Sequence, residues 1–374
     1  MLIKTAKTWF LSIDKSLILM MFGLLFIGCL LVASSSPVIA SKLNLPNFYF
    51  IKKHIFNVFF GLAILFAFTT FKEDHLRRLC LLLFIFFTCM LVVATFFGTE
   101  IKGARRWIAI AGFNMQPSEF LKPFYIVVMA RILSLHLKIS QFPRYKIAIA
   151  LHAFITLILL KQPDLGMTVT FTVLFITMLF IAGLPLYWLA LAGIGLFSIV
   201  GIAYFSLPHV AFRINSFFAS SGANYQVSKS LDAYNSGGIF GQGPLGGNIK
   251  NYLPDCHTDF IFAVAGEEFG ALFSVLIIFL ILLITIKIMV HALKVEDEFK
   301  KIAITGIASL YAFQSIFNIA VTLNLLPTKG MTLPFISYGG SSMFAYMILF
   351  GILLNFSKRD LYSLNFTNKF RSEE

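Results

Sequence analysis

The stretch LGMTVTFTVLFITMLFIAGLPLYWLALAGIGLFSIVGIAYFSLPHVAF, residues 165–212, runs for 48 residues without a charged side chain. A helix crossing a bilayer needs about 20 predominantly apolar residues. The stretch is therefore too long for one span and about right for two. Gly183-Leu184-Pro185 marks the join, because Pro removes a helix donor and Gly loosens the backbone. Two consecutive spans in one uninterrupted window place the whole chain in a membrane.

The remainder agrees. Of the 374 residues 58% are hydrophobic and 13% charged, against roughly 45–50% and about 25% in soluble domains; the mean hydropathy is +0.85. Apolar windows recur from end to end, and Pro334 with Gly339-Gly340 delays the last helix to about Ser341. Ten helices are expected, near 17–36, 55–71, 79–98, 117–136, 146–161, 166–182, 187–206, 263–286, 302–325 and 341–357. The expected fold class is an all-α polytopic membrane protein forming one domain over 1–374. An even number of spans puts both termini on one side. Lys and Arg are more frequent in the segments on that side, which makes it cytoplasmic by the positive-inside rule. The first apolar segment follows Lys4, Lys7 and Lys15 and ends near Val38-Ile39-Ala40, like a signal peptide. Its core exceeds the usual h-region, so it is read as a retained first span.

The formal charge of +13 fits this topology, and no soluble basic stripe with interleaved aromatics suggests nucleic acid. Three cysteines (Cys29, Cys80, Cys89) fall in spans and Cys256 stands alone outside, which does not support a disulfide framework. Neither HExxH nor CxxC spacing occurs, so the sequence names no metal ligands.

Charge and glycine gather in four external segments. The longest, about 207–262 between the seventh and eighth helices, carries Arg213, Gly241, Gly243, Gly246, Gly247, Lys250 and then LPDCHTDFIF, 253–262. Its glycines would let the backbone approach a phosphate closely; a merely flexible loop is the plain alternative. In GARRWIAIAGFNMQPSEFLK, 103–122, Arg105 and Arg106 are adjacent guanidiniums suited to a diphosphate or a carboxylate. Glu119 and Lys122, three apart, face the same side of a helix as a structural ion pair. Lys329 is the only charge in LPTKGMTLPFISYGGSS, 326–342, and Lys161-Gln162-Pro163-Asp164 forms a fourth turn. Asp259 sits where a helix enters the membrane. Taken alone, a helix cap is its plainest role, and Thr258 could take that cap instead.

The segments GARRWI with QPSEFLK, QPDLG, NYQVSKSLDAYNSGG, LPDCHTDFIFAVAGEEFG and LPTKG with LPFISYGGSS resemble, in order and spacing, the SEDS family (shape, elongation, division and sporulation) of integral-membrane peptidoglycan glycosyltransferases. LPTKGMTLP and HTDFIFAVAGEEFG look more like its division-specific branch than its elongation-specific one. Leu245, Met167 and Cys256 depart from the family pattern without touching a charged position.

The resemblance implies polymerisation of lipid II at the outer face of the bacterial cytoplasmic membrane during septal cell-wall synthesis. A class B penicillin-binding transpeptidase and divisome regulators are implied as partners. Asp259 matches the family's essential carboxylate, and an alcohol nucleophile needs such a general base. Arg105, Arg106, Arg213, Lys250 and Lys329 are candidates to hold the donor diphosphate, with His257 as an orienting group. A divalent cation, Mg or Mn, is an open alternative for that charge. A lipid II flippase and an elongation-type polymerase are the competing readings.

Overall fold

The computed structural model describes residues 12–101, 104–110, 113–135, 143–206, 208–218 and 225–358. Ten helices correspond to the ten expected spans. They are α1 (Lys15–Lys42), α2 (Tyr49–Thr70), α3 (Glu73–Phe97), α4 (Pro117–Ser134), α5 (Arg144–Lys161), α6 (Leu165–Ile181), α7 (Leu186–Ser206), α10 (Ile261–Lys294), α11 (Glu298–Thr322) and α12 (Gly340–Phe356). The long external segment is more ordered than the loop that was expected. It contains two further helices, α8 (Pro208–Phe218) and α9 (Tyr225–Gly237), and a 3-10 turn over Ile249–Asn251. The segment before α4 is likewise not a plain loop. Antiparallel strands β1 (Thr99–Ile101), β2 (Ala104–Ile110) and β3 (Phe113–Met115) form a small sheet in the order β1-β2-β3.

Side-chain contacts sort the connections onto two faces. On one, Asp14 caps α1 through the Ser16 and Leu17 amides and meets Lys287 and His291 at the far end of α10. There, too, Asn355 of α12 donates to the Phe68, Thr69 and Phe71 carbonyls, and Lys300 pairs with Glu73. The start of α1 and the end of α12 share this face, as an even number of spans requires. The sheet, the 162–164 turn, the 225–260 segment and the 323–339 loop share the other.

Within the bundle, α4 and α12 are central and buried along nearly their whole length. Small residues bring their neighbours close: a methyl added at Gly61 of α2 would lie 2.8 Å from Met347 of α12, and one at Gly351 of α12 would lie 2.7 Å from Phe68 of α2. Lipid is as apolar as Leu, so close packing and buried polar contacts hold such helices together. α7 is peripheral, with Phe197 and Phe205 exposed.

α10 is not one regular helix. Gly270 has φ +80°, a left-handed conformation that favours glycine, and it breaks the helix near its external end. The carbonyls of Glu267 and Glu268 accept instead from the Gln242 and Gly243 amides, at 3.0 and 2.9 Å. The glycine-rich turn thus lies against the helix break. The close approach that its glycines permit is to protein backbone, with the Gly241 Cα against the Glu268 carbonyl. Those amides are not presented to a phosphate, which corrects that expectation.

Candidate active site

The LPDCHTDF turn is pinned between α10, α11 and the 326–339 loop. Tyr338 N donates to the His257 carbonyl at 2.9 Å, and Ser337 Oγ to the Thr258 carbonyl at 2.6 Å. Asn318 Nδ2 of α11 donates to the Asp259 carbonyl at 2.8 Å and to the Met331 carbonyl at 2.6 Å. The cap position of α10 belongs to Phe260 and has no side-chain cap bond, and Thr258 Oγ1 donates to the Asp255 carbonyl. The Asp259 carboxylate lies over Gly330: a methyl there would sit 2.7 Å from Asp259 Oδ2. A side chain at 330 would displace the carboxylate from this place on the loop.

Lys329, next along that loop, reaches the fully buried Asp164. Arg106 converges on the same carboxylate from β2, with Nε 3.6 Å from Asp164 Oδ2 and further bonds to the Gln162 and Pro163 carbonyls. Burial alone would raise the Asp164 carboxyl; the Lys329 and Arg106 charges override it and hold the group below the usual range. Asp164 is also the N-cap of α6, accepting from the Met167 amide at 3.2 Å. One external cluster therefore holds Asp259, Gly330, Lys329, Asp164 and Arg106, gathered from four parts of the chain. Asp164 was visible in sequence only as part of a turn, and nothing in its neighbourhood advertised that two distant cations meet it.

Other expected site residues lie elsewhere. Arg105 and Arg106 are successive residues of a strand, so they point to opposite sides. Arg105 is half exposed, 3.5 Å from Glu100 of β1 and bonded to the Phe96 carbonyl, and it does not join Arg106 in a double fork. Lys250 is not available as a surface cation. It is buried, paired with Glu268, and donates to Ser34 Oγ of α1 at 2.9 Å. Its amide and that of Ile249 are received by Glu267, so this group ties the external segment to α1 and α10. His257 packs against Phe50 and Tyr338, with ring centroids 4.9 and 5.2 Å away. Burial pushes its imidazole down to about 4, so it is neutral at pH 7. The Arg213 side chain lies outside the described residues.

Deeper in the bundle, Lys122 Nζ is 2.7 Å from Glu119 Oε2 and donates to Gln314 Oε1 at 2.8 Å. Gln314 in turn donates to the Thr332 carbonyl at 3.2 Å, on the same loop that carries Lys329 and Gly330. Among the described residues no group of three His, Cys, Asp or Glu could hold a metal ion.

Comparison with known proteins gives a consistent answer. Residues 15–361 match the family model FtsW/RodA/SpoVE, described as cell cycle protein. A relative from Caulobacter vibrioides named "Probable peptidoglycan glycosyltransferase FtsW" is 36% identical over 92% of this chain and 89% of its own length. One of the same name from Trichlorobacter lovleyi is 36% identical over 92% and 93%. Among solved structures, Thermus thermophilus rod shape determining protein RodA superposes with a TM-score of 0.71 at 24% identity, covering 93% of this chain and 97% of its own. A chain from a peptidoglycan synthase complex, described as coordinating polymerisation and crosslinking, gives 0.74 at 24% identity. At that identity the structural likeness establishes the fold.

Proposed function

Because the chain belongs to the FtsW/RodA/SpoVE family, we propose that it is a peptidoglycan glycosyltransferase polymerising lipid II at the external membrane face. The observation that carries this reading is the Asp259 carboxylate, which lies against Gly330 beside Lys329, one residue before the cap position of α10. Asp259 takes the proton of an acceptor GlcNAc 4-hydroxyl as that oxygen attacks the anomeric carbon of the donor disaccharide. The bond from that carbon to the diphosphate breaks, and undecaprenyl diphosphate leaves with the electron pair. Asp259 then returns its proton to water.

The leaving diphosphate gathers negative charge. In the Arg106–Asp164–Lys329 group two cations share one carboxylate. In this reading Asp164 is a positioning residue that holds both cations, and the cations stabilise the leaving group. Arg105 and Lys250 have no part in it. A substrate tethered to the bilayer by its polyprenyl chain explains why the cluster sits at a membrane face.

The septal, division-specific role rests on the names of the curated relatives at 36% identity. A class B penicillin-binding transpeptidase is the partner of choice, since a structural neighbour comes from a synthase complex that polymerises and crosslinks; divisome regulators would act on the pair. Transport is the weaker reading, because these polar groups gather at one face while transporter sites lie near the midplane. Purified protein in liposomes with labelled lipid II separates the two: glycan polymer supports the proposal, and lipid translocation without polymer rejects it.

A further inference from the structure

Gln314, Asn318 and Thr322 stand four residues apart on α11 and therefore line one face of it. Each bonds to a different part of the external site. Gln314 holds the Thr332 carbonyl and receives Lys122. Thr322 accepts Ser230 Oγ at its carbonyl, at 2.7 Å, and pairs with the Tyr234 hydroxyl at 2.9 Å, both from α9. Asn318 lies between them and makes the two bonds to Asp259 and Met331.

The Asn318 geometry is specific. Two carbonyl oxygens can be met only by the NH₂ end of the amide, whose two hydrogens serve one each. Its Oδ1 is left buried with no bond among the described residues, and an unsatisfied buried acceptor is destabilising. What the residue accomplishes is to join two backbone points that flank the reacting groups: residue 259 itself and residue 331, next to Gly330.

We propose that Asn318 is a positioning residue of the polymerase reaction, clamping the Asp259 turn to the Lys329–Met331 loop so that base and leaving-group cations keep a fixed separation. This rests on the reading of Asp259 as general base. Asn318 acts through the backbone carbonyls of Asp259 and Met331, not through the Asp259 carboxylate. Its loss should act on turnover, since an error of about 1 Å in such a constellation can cost about 100-fold.

The test is steady-state lipid II polymerisation by full-length protein in liposomes, normalised to folded protein, for Asn318→Leu, Asn318→Ser and Asn318→Asp beside Asp259→Asn. Asn318→Leu should lower kcat by about 10- to 100-fold with KM nearly unchanged, and Asn318→Ser, with one donor, should fall between it and the native protein. At neutral pH the carboxylate in Asn318→Asp faces two carbonyl oxygens without a hydrogen, whereas protonation restores one donor. Its kcat relative to native should therefore rise as pH falls. If Asn318→Leu does not accumulate, the other two variants decide. Near-native kcat in the Leu and Ser variants, a change confined to KM, or a pH-independent ratio for Asn318→Asp would each overturn the clamp. Abolished activity in Asp259→Asn alongside such results rejects the clamp alone; preserved activity there rejects the reading beneath it.

Discussion

Removing the charge of Glu119 tests what holds the centre of the bundle. Glu119 and Lys122 are nearly sealed from solvent, with side-chain exposures of 8% and 1%, and their charges approach to 2.7 Å. In Glu119→Gln the Lys122 ammonium would keep Gln314 Oε1 at 2.8 Å and the Tyr346 ring at 5.5 Å, with no counter-charge. Breaking a buried pair from one side costs about 3–5 kcal/mol, whereas replacing both partners by apolar groups of similar volume is often neutral. Glu119→Gln should therefore lose about 3 kcal/mol or more, while Glu119→Gln combined with Lys122→Met should recover most of it. Thermal unfolding in detergent and abundance in membranes provide the double-mutant cycle. A Glu119→Gln protein of normal stability that makes no glycan would refute the reasoning and move Glu119 into the chemistry.

Two further outcomes follow from the site. Arg106→Lys should slow polymerisation clearly, because a point charge cannot reach Asp164 and the Gln162 and Pro163 carbonyls as the guanidinium does; Arg105→Lys, on the exposed side of the strand, should be much milder, and equal losses in a turnover assay would contradict the assignment. His257 is neutral above pH 6.5 in both folded and unfolded chains, but between 6.5 and about 4 only the unfolded chain binds the proton. Stability should fall across that window by on the order of 3 kcal/mol, and His257→Phe should flatten this part of the melting-temperature profile; an unchanged slope would show that the ring titrates normally.

The spans were legible because lipid imposes a length and a composition on any helix that crosses it, and the 165–212 window with its Gly-Leu-Pro break already demanded two. The Glu119–Lys122 approach was legible from helical spacing alone. What escaped the sequence were contacts between distant segments. Arg105 and Arg106 looked like one fork because the strand that separates them, 104–110, was too short to read and flanked by glycine. Lys250 looked like an external cation because its partners, Ser34 and Glu268, lie inside apolar windows. Asn318 was hidden in the same way: an amide within the apolar run 302–325 gives no sign that two carbonyls outside the helix depend on it. The glycine turn was read as a close approach to phosphate; its partner is instead the helix break at Gly270, which a long apolar run conceals.

The central claim is that Asp259 is the general base. Asp259→Asn is nearly isosteric and preserves the backbone carbonyl that Asn318 holds, so folding and membrane abundance should persist. The direct measurement is the rate of glycan polymer formation from labelled lipid II by this variant in liposomes, per folded molecule. A positioned base contributes about 10²- to 10⁴-fold, and a fall of that order with the protein intact is the expected result. Polymerisation at a near-native rate would contradict the account.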